Sequence, residues 1–80
     1  MAQMQPARQS QPMSDLMYDL VTELSQCGQA ASALDVYLED AKDENVPEVV
    51  QLLEQMRQDK LRHGEMLRQC LRTMVQQGEV

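Results

Sequence analysis

The chain has 80 residues, thirteen Asp and Glu against seven Lys and Arg, two Tyr, and neither Phe nor Trp. That length allows one small domain with little apolar surface to bury alone, and a net charge of −6 argues against nucleic-acid binding, which needs a clustered basic face. No apolar run reaches the roughly 18 residues of a membrane span, no secretory signal is visible, and two Cys make no disulfide scaffold, so a cytoplasmic protein with reduced thiols is expected.

Residues 1–13 are rich in Gln, carry two Pro and show no apolar period, the composition of a disordered arm. Ser14 can cap a first helix that runs to about residue 42. Apolar or small residues recur at 16, 20, 24, 27, 31, 34, 38 and 41, the steps of three and four that mark one helix face. The turn spans 43–45, and Asn45 can cap a second helix over about 46–77. Pro47 falls in its first turn, where a missing N–H costs nothing, and Glu48 stands three residues past the cap. The second stripe reads Val49, Leu53, Met56, Lys60, His63, Leu67, Cys70 and Met74.

Helices of about 42 and 46 Å joined by so short a turn predict an all-α fold, an antiparallel two-helix hairpin over 14–78. A lone hairpin leaves half of each stripe in water, and a second copy of the chain would cover it as a four-helix bundle. The expected dimer seam is Leu20, Leu24, Ala31, Leu34, Leu38, Leu53, Met56, Lys60, Leu67, Cys70 and Met74. Charge agrees with the pairing of the helices. Residues 14–45 hold eight acids and one Lys, net −7, whereas 57–72 hold five bases and two acids, net +3. The acidic start of helix 1 (Asp15, Asp19, Glu23) should therefore lie beside the basic stretch, each exposed pair contributing about 0–1 kcal/mol but favouring one register.

Two polar residues, Lys60 and His63, interrupt the second stripe at its centre, with His63 expected level with Cys27. Gly28 and Gly64 adjoin that level. A helical Gly costs about 1 kcal/mol relative to Ala, so the pair points to close helix approach or to room for a ligand. Cys27 and His63 from two subunits, with Glu23 or Asp59 nearby, would offer zinc or iron a site at the subunit interface. The simpler expectation is a reduced core thiol, a satisfied core histidine and no cofactor, with Lys60 paired to Glu23 or Asp59. No Ser/His/Asp grouping or Gly-rich phosphate loop is present, which points away from a hydrolase or transferase.

The run Asp59-Lys60-Leu61-Arg62-His63-Gly64-Glu65-Met66-Leu67-Arg68 resembles the second-helix Glu-x-x-His-x-x-x-Leu block of the ferritin-like superfamily, rubrerythrin-type hairpins in particular. The Ala41-Lys42-Asp43-Glu44 turn fits the same pattern. The resemblance implies that two hairpins pair into a bundle, with His63 at the place of a ligand histidine. It also implies loss of the di-iron centre. Lys60 stands where the motif has Glu, and the first-helix Glu falls on Cys27 or Ala30. The expected function is thus a small homo-oligomeric assembly or interaction module, its acidic helix 1 open to a basic protein partner. The alternative is a metal-binding or redox protein built on His63 and Cys27.

Overall fold

A computed structural model describes residues 12–79, so all but the last two residues of the expected arm lie outside the described residues. Among the described residues there are two helices and no strand, α1 (Asp15–Asp43) and α2 (Pro47–Gln76). Asp35 of α1 meets Arg57 of α2, and Cys27 lies against Gly64. Numbers rise along one helix as they fall along the other, the mark of an antiparallel hairpin.

Ser14 caps α1 as its chemistry predicts, its hydroxyl accepting from the Met17 amide at 3.1 Å. The turn works differently from the expected capping box. Asn45 has φ 60°, a left-handed conformation that Asn tolerates better than most residues, and it terminates α1 instead of starting α2. The Asn45 amide donates to the Lys42 carbonyl at 3.1 Å and the Val46 amide to the Ala41 carbonyl at 3.2 Å. These bonds satisfy the last carbonyls of α1 in a Schellman turn. Val46, kept out of the helical region by the Pro47 that follows it, occupies the N-cap of α2 without a side-chain cap bond. Gly78 repeats the device at the other end, with φ 77° and the Glu79 amide donating to the Met74 carbonyl at 2.8 Å.

The core is one interhelical seam. From α1 it buries Met17, Cys27, Ala31, Leu34, Leu38 and Ala41, and from α2 Met74, but no large side chain is fully enclosed. The α2 side of the seam is a column of Val50, Leu53, Arg57, Lys60, Gly64, Leu67, Leu71 and Met74, half-buried except for Met74. The sequence stripe shares Leu53, Lys60, Leu67 and Met74 with this column and differs at every second step. Val49, Met56, His63 and Cys70 are exposed, and Val50, Arg57, Gly64 and Leu71 turn inward in their places. Either set has helical spacing. In the observed set, Arg57 meets Asp35 and Gly64 meets the Cys27 level of α1.

Candidate functional site

The seam leaves the hairpin with two flanks of different chemistry. On the first, the seven-residue column Glu23-Ala30-Tyr37 of α1 runs beside the column Val49-Met56-His63-Cys70 of α2. Tyr37, Ala41, Val46, Val49 and Leu53 share one shallow depression with Asp40 and Glu44, and Leu20, Cys70 and Met74 share another with Gln69 and Thr73. Tyr37 is 52% exposed, Leu52 58%, Val49 41% and Met56 40%. An apolar band therefore lies open along the half of this flank nearest the turn.

On the second flank, the column Val21-Gly28-Asp35 of α1 runs beside Leu61-Arg68-Val75 of α2. The Arg57 guanidinium donates to the Asp35 carboxylate across the seam, bracing the helices on this side. Asp35 is exposed and Arg57 half-buried at the edge of the seam, so water screens the bond and it contributes about 0–1 kcal/mol. Arg68 pairs with Glu65 one turn back on its own helix, and Gln69 donates to the same carboxylate at 3.3 Å. The Arg68 guanidinium, by hydrogen bond and by charge, holds the exposed Glu65 carboxyl below the ordinary value of 4.5. Between the pairs lies a cleft of about 290 Å³, lined by Cys27, Gly28, Lys60, Leu61, Gly64, Glu65 and Arg68.

The residues singled out in the sequence are distributed over this frame. Cys27 is buried in the seam, and its facing residue is Gly64, not His63. His63 and Glu23 are exposed, both in columns of the apolar flank. Asp59 is half-buried and engaged on its own helix, by Arg62 at 3.3 Å and Gln55 at 3.0 Å. Lys60 sits half-buried at the middle of the seam. Neither expected partner is its partner, and among the described residues no carboxylate lies within ion-pair distance of it. Cys70 is exposed, a reduced thiol outside the seam.

No group of three His, Cys, Asp or Glu side chains among the described residues of one chain converges as a metal site. Lys60 holds the middle of the seam, and no charged side chain is buried among the described residues of one chain. No helix among the described residues is long and apolar enough to cross a membrane.

The glycines answer the question the sequence posed. A Cβ built at Gly64 would meet the Leu24 Cδ1 at 3.6 Å and the Cys27 Cβ at 4.0 Å, and one at Gly28 would meet nothing within 4 Å. Alanine would fit at both positions, so close helix approach does not require either glycine. No protein-family model, curated protein or solved structure matches the chain.

Proposed function

We propose that this chain is a self-assembling helical module, a hairpin that pairs with a second copy through its apolar flank to close a ferritin-like four-helix bundle without a di-iron centre. The observation that carries the reading is the open band of Tyr37, Val49, Leu52 and Met56 beside a seam that encloses no large side chain fully. A domain this small needs more burial than one seam supplies, and exposed apolar bands on soluble proteins mark interaction surfaces. A second copy suits the band because it brings the same apolar columns to meet its own. Setting each acidic α1 beside the other copy's α2 avoids juxtaposing two helices of like charge. In that arrangement Met56 and Cys70 join the subunit interface, while the remaining expected seam residues pack within each hairpin. The acidic outer face of α1 then stays available to a basic protein partner in the cytoplasm.

Light scattering on the full chain tests the assembly. The expected mass is twice the 9.2 kDa of one chain, and melting should rise with protein concentration, as it does when folding and association are linked. A monomer whose melting is independent of concentration would overturn the proposal.

A second reading, a zinc or iron centre between subunits, rests on His63 and Asp59, which stand one turn apart on α2 with His63 exposed. Pairing through the apolar flank would draw the two His63 side chains toward one interface, with Glu23 on the same flank of α1. Cys27 stays within its own seam. Metal analysis of untagged protein, with His63→Ala as control, decides it: less than one equivalent per dimer, unchanged by the substitution, removes this reading.

A further inference from the structure

We propose that the cleft on the second flank binds a small organic monoanion, a carboxylate with a short aliphatic body, whose charged end rests on Lys60. This inference does not depend on dimerisation, since the cleft opens on the side of the hairpin away from the apolar band. Its basis is a gap that the packing does not demand and a charge that the packing does not satisfy.

The gap comes from glycine. Gly28 and Gly64 stand at one level inside two helices, where each costs about 1 kcal/mol relative to Ala. An added Cβ would find open space at Gly28 and ordinary van der Waals neighbours at Gly64. Both line an open depression of about 290 Å³, to which Gly28 adds no side chain.

The charge comes from Lys60. It lines this cleft from a half-buried seam position, and no carboxylate among the described residues neutralises it. Its nearest acid in sequence, Asp59, is occupied by Arg62 and Gln55. Further along the same helix, Arg68 and Glu65 form a pair that neutralises itself. Lys60 and Arg68 against Glu65 leave one positive charge over the whole lining, which matches a single negative charge on the ligand. Glu65 would repel a second one. The rest of the lining is Cys27, Gly28, Leu61 and Gly64, apolar or without a side chain, which suits a short hydrocarbon body better than a bare inorganic ion.

The test is an amide NMR titration of the full chain with sodium butyrate, against sodium chloride and sodium phosphate at matched ionic strength. Butyrate should shift the Gly28 and Gly64 amides saturably in the millimolar range. Lys60→Met should weaken that binding about tenfold, the usual loss for a charge-assisted hydrogen bond. Gly28→Leu, which places a side chain in the open space, should abolish it with helicity retained by circular dichroism. Shifts that grow linearly, that chloride reproduces, that keep their midpoint in Lys60→Met, or that persist in Gly28→Leu would overturn the proposal. Phosphate saturating the same amides as tightly as butyrate would overturn the organic-anion assignment.

Discussion

The two flanks of the hairpin are built from the same pair of helices, yet they solve opposite problems. Along one, Tyr37, Val49, Leu52 and Met56 present carbon to solvent over the half nearest the turn. Along the other, Asp35 and Arg57 bridge the helices, Glu65 and Arg68 pair locally, and two glycines open a cleft between them. Neither difference can be seen in the seam, which is a plain ladder of small and aliphatic residues broken at Arg57, Lys60 and Gly64. Both flanks expose apolar carbon, since Val21, Leu61 and Val75 stand open on the second. What the second adds, in the same columns, is Asp35, Arg68 and Gly28.

The largest effect should come from putting one charge on each side in turn. Leu52 is 58% exposed on the apolar flank and Leu61 is 49% exposed on the cleft flank, so in an isolated hairpin Glu at either position should cost about the same and little, within about 0.5 kcal/mol. In a dimer covered on the apolar flank the two differ sharply. Leu52→Glu enters the interface twice by symmetry and should weaken association by about 2 kcal/mol or more, a shift of thirtyfold or greater in the dissociation constant. Leu61→Glu should leave association unchanged. Sedimentation of both variants reads the contrast directly. Equal behaviour would mean that the flanks do not differ in what they bind.

A smaller effect, of opposite sign, is expected on the cleft flank. Gly28→Ala should raise stability by about 0.5–1 kcal/mol, because it removes a helix penalty and meets no neighbour within 4 Å. Gly64→Ala should gain less, since its Cβ enters contact with Leu24 and Cys27. Urea denaturation at fixed protein concentration measures both. A loss at Gly28 would show that the position is covered in the folded protein, and the description of this flank as open would fail.

Much of the fold was legible because helix signals are local. Ser14 acts as the cap its side chain suggests, Pro47 stands at the start of a helix, and the α1 column through Cys27, Ala31, Leu34 and Leu38 is the buried one. Two readings failed for a physical reason. Asn45 can cap a following helix or close a preceding one in the left-handed conformation, and a single sequence does not say which it will do. On α2, Val49 and Met56 compete with Val50 and Arg57 for the seam at identical spacing. Periodicity cannot choose between them, because the choice depends on packing against α1, where Arg57 meets Asp35 twenty-two residues away along the chain. The same limit hides the cleft. A glycine pair reads alike whether it admits a neighbouring helix or leaves a space, and only the distances at Gly28 and Gly64 separate the two.

The smallest expected effect concerns whether the charges of the cleft flank are as self-contained as their geometry implies. The Glu65 carboxyl is held below 4.5, first by its hydrogen bond from Arg68, then by that guanidinium's charge and by Gln69. A carboxyl whose folded value is depressed adds stability above its unfolded value, and that contribution fades as pH falls through the folded one. The window therefore lies below 4.5. Because the group is exposed, added salt should move its titration back toward the ordinary value. A carbon-detected NMR titration of Glu65 follows this without reference to stability. Arg68→Met should return the midpoint toward 4.5, whereas Arg57→Met, whose partner is Asp35, should leave it in place. If both substitutions moved Glu65 equally, the two pairs would form one electrostatic network across the flank, and Lys60 would no longer be the unmatched charge of its cleft.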